Sequence, residues 1–191
     1  MQKELPVRKN IRLKDYDYST AGYYFITVCV KDKHEMLGKV VGDAVVGDAV
    51  HSVPHIDLSE YGNIVQQVLE NGGSPRVKLD KYIIMPNHIH MILIVSHVEN
   101  RDAVDRDAVD GRDAVDRDAV DSVPYKSLIP AFVRSLKTMT TKRFGFNMWQ
   151  RSYHDRIIRD EAEYQRIWQY IDENPARWVE DDYFNKATIA H

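Results

Sequence analysis

The stretch "VKLDKYIIMPNHIHMILIV", Val77 to Val95, constrains this chain more than any other. Two runs rich in apolar residues flank Pro86-Asn87, a pair suited to a tight turn, so the stretch reads as two strands joined by that turn. Side chains alternate across a strand. His88, His90, Ile92 and Ile94 therefore share one face, and Ile89, Met91, Leu93 and Val95 the other. Both faces are largely apolar, which predicts a central strand covered on both sides. Such a strand must bury two imidazoles side by side. An unpaired buried polar group costs about 1–3 kcal/mol, so each ring needs a partner. Backbone or water at the sheet margin would serve, and so would one metal ion shared between the rings. The turn just before the pair places it near the strand's mouth, a position that would leave a site accessible. A third histidine at position 92 would point to nucleotide hydrolases of the histidine-triad type, and Ile92 argues against them.

Around this hairpin the chain alternates structured patterns with low-complexity insertions. The unit Arg-Asp-Ala-Val-Asp occurs four times between Glu99 and Asp121, and Val-Gly-Asp-Ala-Val is repeated between Val40 and Val50. A five-residue period fits neither a helix face nor strand alternation, and it is too short for the usual solenoids. Residues 40–50 and 99–121 are therefore expected to be flexible insertions in one domain spanning 1–191. They also distort the charge balance. The second insertion holds nine acids against four arginines and the first adds two aspartates, so the remainder of a chain with formal net charge −3 is basic. Basic residues cluster in "VRKNIRLK" and "VRSLKTMTTKRFG". Clustered cations favour polyanionic partners.

Other segments have clear local signatures. "GYYFITVCV" reads as a strand, with "HEMLGKVV" as its hairpin partner. "DLSEYGNIVQQVLENGG" reads as a helix, with Leu58, Tyr61, Val65, Val68 and Leu69 at helical spacing and Gly72-Gly73 as its stop. "KSLIPAFVRSLKTMTTKRFG" is a second helix, with Leu128, Phe132, Val133, Leu136 and Met139 on one side and Pro130 confined to its first turn. "RSYHDRIIR" is a short strand. "DEAEYQRIWQYIDENP" is the last helix, opening with Asp160 and Glu163 in a capping arrangement. The order β-β-α-β-β-α-β-α predicts an α+β protein of ferredoxin-like type, with helices packed on one face of an antiparallel sheet. Cys29 is the only cysteine. It excludes an internal disulfide and a multi-cysteine zinc site, and it suits a reducing cytoplasm. The opening residues contain no apolar core of a secretory signal, and no aliphatic run approaches the roughly 20 residues that span a bilayer.

The last helix offers a partner for the histidines. Tyr164, Ile167, Trp168 and Ile171 form its apolar stripe. Tyr170 lies at the stripe's edge and Asn174 four residues further on, nearly on the same line. A helix docked by that stripe could carry a phenol and an amide toward the imidazoles. The alternatives are an amphipathic boundary tyrosine and a C-capping asparagine, since Pro175 disfavours helical geometry at Asn174.

These residues together resemble the REP-associated tyrosine transposases, within the wider HUH superfamily of single-strand transposases and nucleases. The resemblance is carried by "RKNIRLKDYDYSTAGYYFITVCV", "YIIMPNHIHMILIV" and "WQRSYHDRIIRDEAEYQRIWQYIDENP". The family motif pairs His-apolar-His with a later "Y-I-x-x-N-P", here His88-Ile89-His90 and Tyr170-Ile171 with Asn174-Pro175. It implies an HUH-type fold, with His88, His90 and Asn174 as ligands of Mg²⁺ or Mn²⁺ and Tyr170 as the nucleophile, Tyr153 ranking second. It also implies single-stranded DNA with hairpin-forming repeats as substrate, cut and rejoined through a 5′-phosphotyrosine by a monomer or homodimer. Arg8, Lys9, Arg12, Lys14, Arg134, Lys137, Lys142 and Arg143 are candidate phosphate contacts, and Tyr16, Tyr18 and Trp149 candidate stacking residues. Two rival readings stand beside it: a DNA-binding regulator of the same fold that does not cut, and a small metal-dependent phosphoesterase with a water nucleophile.

Overall fold

The computed structural model describes residues 20–42, 53–72, 74–96 and 128–184. The elements are β1 (Gly22–Cys29), β2 (Gly38–Val41), β3 (His55–Leu58), α1 (Glu60–Asn71), β4 (Val77–Met85), β5 (His88–Val95), α2 (Leu128–Phe144), β6 (His154–Ile158) and α3 (Glu161–Glu173), followed by a 3-10 segment, Asn174–Glu180. The architecture is α+β. Four strands form an antiparallel sheet in the order β4-β5-β1-β6, and β2 and β3 form a separate two-stranded sheet.

β5 is flanked on both sides, by β4 and β1, as its doubly apolar sequence requires. Its register pairs Thr27 with His90 and Cys29 with His88. On one face Ile89, Met91, Leu93 and Val95 join Tyr24, Ile26 and Val28 under α1 and α2 in the larger core. On the other face Ile92 packs with Ile158 and with Ile167 and Ile171 of α3. The helices thus cover both faces rather than one, because α3 carries its own apolar stripe and β5 has an apolar face left to receive it. The β4 edge is interrupted by a register shift between Leu79 and Lys81. Bulges of this kind blunt an open edge. Here Asp80 accepts a hydrogen bond from the Tyr164 hydroxyl, 2.7 Å, and the Lys81 ammonium bonds Asp172, 2.8 Å, while lying 3.7 Å from the Trp168 ring centroid. Both contacts anchor α3 across the sheet.

Local details differ from the sequence reading in four places. "HEMLGKVV" is not the partner of β1: Val40 and Val41, assigned to the first insertion, pair with Ile56 and His55 of β3. Leu58 belongs to that strand, and α1 begins at Glu60 with the Ser59 side chain accepting from the Gly62 amide. Met139 is exposed, and Ile129 and Thr140 take the buried face of α2 instead. Thr140 accepts a hydrogen bond from the Trp149 indole, 2.7 Å, which locks Trp149 into the core rather than leaving it to stack. Residues 43–52 and the insertion at 99–121 lie outside the described residues, as do Gly73, Arg8, Lys9, Arg12, Lys14, Tyr16 and Tyr18.

Candidate active site

His88 and His90 head the central strand and are 0% and 1% exposed. Their Nε2 atoms face each other at 2.9 Å. The network around them fixes one tautomer. Both amide hydrogens of Asn87 are committed, to the Lys33 and Tyr183 carbonyls at 3.1 and 2.9 Å. Its Oδ1 is therefore the atom 2.9 Å from His88 Nδ1, so Nδ1 donates and Nε2 of His88 carries a lone pair. Metal-binding imidazoles are oriented by this kind of outer hydrogen bond. Nδ1 of His90 lies 2.8 Å from the Thr27 hydroxyl. A hydroxyl both donates and accepts, so Thr27 satisfies Nδ1 in either tautomer, and the lone pair on His88 Nε2 makes His90 Nε2 the donor across the 2.9 Å contact. The Lys33 carbonyl is presented by a tight turn in which Asp32 and Lys33 have φ of 54° and 56°. That left-handed conformation is costly for side-chain-bearing residues, and here the strain sits beside the site.

α3 supplies the phenol. Asp160 caps its start by accepting from the Glu163 amide, 2.7 Å, and Glu163 accepts in turn from the Arg159 amide, 2.9 Å. The helix seats Ile167 and Ile171 on the sheet, which aims Tyr170 at the pair. The Tyr170 hydroxyl is 3.2 Å from His90 Nε2. Phe25, stacked on His90 at 5.1 Å and edge-on to Tyr170 at 6.1 Å, fixes the angle between them. Asn174 keeps helical geometry, φ −56° and ψ −40°, despite Pro175. The proline falls in the first turn of the 3-10 segment, where its missing N–H is not needed. Asn174 thus stays one turn beyond Tyr170, and it is buried.

The 3-10 segment then folds back and brings in Asp181, which the sequence reading missed. Its Oδ2 accepts from the Tyr170 hydroxyl at 3.2 Å and from Asn174 Nδ2 at 3.0 Å. His88, His90 and Asp181 place three ligand atoms within 4.8 Å of one another, a group that could hold a metal ion. Asn174 Oδ1 is buried without a hydrogen-bond partner, an acceptor that the protein itself does not satisfy. Two imidazoles, a carboxylate and an orphaned amide oxygen suit a divalent cation that accepts mixed nitrogen and oxygen donors. Tyr183 roofs the pair, its ring 4.6 Å from His88, and Trp178 lies 5.9 Å from the same imidazole.

Burial dominates the electrostatics. It pushes His88 down to about 3, with the Lys33 ammonium adding to the effect. It also holds His90 well below the usual imidazole range, the neighbouring His88 contributing. Burial raises the Tyr170 phenol, and the Asp181 carboxylate raises it further. Burial likewise pushes the Cys29 thiol up to about 11, which leaves it unreactive. Of the other candidates, Tyr153 packs in the larger core, across the sheet from the histidines. Lys137 donates to the Gln150 and Ser152 carbonyls at 2.8 and 2.9 Å, and Arg143 to Gln67 at 3.1 Å. Arg134 and Lys142 are exposed on α2.

The four-stranded antiparallel sheet carries paired histidines on a central strand, faced by a helix that carries a tyrosine. The chain matches the structure of a REP-associated tyrosine transposase bound to a REP hairpin with a TM-score of 0.53 and 16% identity, over 87% of this chain and 73% of that one. That likeness establishes the fold. No family model matches the chain. In sequence it is 32% identical over 181 residues, 93% of each chain, to an uncharacterized protein of Haemophilus influenzae strain Rd, and it belongs to the same family as that protein. Among the described residues no helix is long and apolar enough to cross a membrane.

Proposed function

We propose that the protein cuts and rejoins single-stranded DNA through a covalent bond to Tyr170. The observation that carries this reading is the Tyr170 hydroxyl, 3.2 Å from His90 Nε2 and 3.2 Å from Asp181 Oδ2, at the one buried histidine pair among the described residues. The phenolic oxygen attacks the phosphorus and forms a 5′-phosphotyrosine. The bond to the 3′ oxygen breaks, and the freed 3′-hydroxyl later reverses the step. Asp181 Oδ2 already accepts the phenol's hydrogen bond and is a base within reach of its proton. A Mg²⁺ or Mn²⁺ ion held by His88, His90, Asp181 and Asn174 would neutralise charge on the phosphoryl oxygens and orient them. Asn87 and Thr27 hold the imidazoles, and Asn174 holds the carboxylate that faces the phenol. The related structure bound to a REP hairpin supports a hairpin-forming substrate with an unpaired flank.

The test is a labelled single-stranded hairpin incubated with the protein and Mn²⁺, then run on a denaturing gel. A shifted covalent band is expected, abolished by Tyr170→Phe while DNA retention on a native gel persists. Cut DNA with no adduct would move the chemistry to a water nucleophile. Retained, uncut DNA would make the protein a binder.

A further inference from the structure

α2 and the segment 147–153 enclose a cavity of about 560 Å³ on the sheet face opposite α3. Pro130, Val133 and Tyr153 give it an apolar floor, and Arg134, Lys142 and Arg151 stand at its walls. The cavity is within the range that holds small organic ligands. No acidic side chain lines it among the described residues. Arg134, Lys142 and Arg151 are exposed and form no ion pair with another described residue. Among the described residues, these three cations around one recess concentrate positive potential there.

Lys137 lines the same recess in a different role. Its ammonium ties α2 to the Gln150 and Ser152 carbonyls, so it builds the wall. The wall in turn is tied to the active site. Trp149 bridges to Val30, and the Gln150 amide donates to the Cys29 carbonyl at 2.9 Å. Cys29 is the cross-strand neighbour of His88. Tyr153, on the floor, directly precedes His154, which lies beside Thr27 on the histidine face of the sheet. The wall of the cavity therefore lies at the same end of the sheet as the histidine pair, on the opposite face.

We propose that this cleft holds the backbone of the unpaired DNA strand adjoining the cleaved phosphate, with Arg134, Lys142 and Arg151 on its phosphates. The proposal rests on single-stranded DNA being the substrate. A single strand fits the recess because its sugars and bases can settle on the apolar floor, which a base-paired duplex cannot present. Arg151 is the distinguishing residue, since it lies outside the basic clusters of the sequence and joins α2's cations only through the fold.

The experiment is fluorescence anisotropy of the full chain with a 5′-fluorescein oligothymidine 12-mer, in EDTA, across a salt series. Working without metal separates binding from cleavage. Arg134→Ala, Lys142→Ala and Arg151→Ala are each expected to weaken binding by about three- to tenfold. Each should also lower the slope of log affinity against log salt by about 0.7, the value for one phosphate contact on a single strand. Lys78→Ala, on the remote β4 edge, should match the parent. Parental affinity in the three cleft variants would overturn the proposal, as would equal loss in the Lys78 variant or equal competition by a blunt 12-mer duplex. If the parent binds as expected but forms no adduct with Mn²⁺, the cleavage reading falls and the cleft stands. If adduct forms while the cleft variants bind normally, the cleft falls and cleavage stands.

Discussion

His88 and His90 are held neutral by the same burial that makes them useful as ligands. Their folded values lie below the ordinary imidazole value of about 6.5, His88 at about 3. An unfolded chain therefore binds more protons than the folded one as pH falls through 6.5 toward 3, and stability must fall with it. In metal-free protein each imidazole contributes up to about 1.4 kcal/mol per pH unit within that window. Urea unfolding in EDTA between pH 7.5 and 4.5 is expected to show this loss, and His90→Gln should flatten the slope by about one proton. An unchanged slope in that variant would mean that His90 does not titrate on unfolding. The pair was legible in the sequence because alternation on an apolar strand leaves little choice of face. Tyr170 was legible from the helix stripe and the motif. Asp181 was not: in "WVEDDYF" it resembles any solvated acid, and only the 3-10 turn after Pro175 returns it to the phenol. The structural duties of Asn87 and Lys137 were equally hidden, since each depends on carbonyls distant in sequence.

At the scale of elements, the sequence reading succeeded where periodicity was long, found the short β6 within "RSYHDRIIR", and failed at β2 and β3. β4, β5, α2 and α3 carry sustained patterns and fall where the patterns place them. β3 has four residues, "HIDL", and merges in sequence with the helix that follows. The separation is made by Ser59, whose side chain caps α1 and also donates to the Met36 carbonyl at 2.6 Å. Gly62 completes the joint. A Cβ there would lie 2.0 Å from the Leu37 carbonyl oxygen, so glycine is what lets α1 seat against the loop before β2. Helix propensity alone favours alanine over glycine by about 1 kcal/mol. The close approach outweighs it: Gly62→Ala is expected to destabilise the protein by about 1–3 kcal/mol, the usual cost of overpacking, read as a lower urea midpoint at unchanged m-value. A stabilised variant would show that the helix can lift off Leu37 freely.

The whole molecule sets two charge distributions against each other. Arg134, Lys142 and Arg151 surround one recess, whereas residues 99–121 carry nine acids and four arginines. Polyanionic DNA is attracted by the first and repelled by the second, and the formal net charge of −3 conceals both. Replacing the eight aspartates of 99–121 by asparagine preserves chain length and removes eight formal negative charges. Because these residues lie within low-complexity repeats, folding stability should move by no more than about 0.5 kcal/mol. Affinity for the oligothymidine 12-mer should rise severalfold at about 10–20 mM salt, where the Debye length approaches 30 Å. The gain should vanish near 1 M, where screening cuts that length to about 3 Å. Equal affinities at low salt would mean that the acidic repeats do not act on the proposed DNA-binding cleft. A gain that persists at high salt would instead indicate direct contact between the repeats and the cleft.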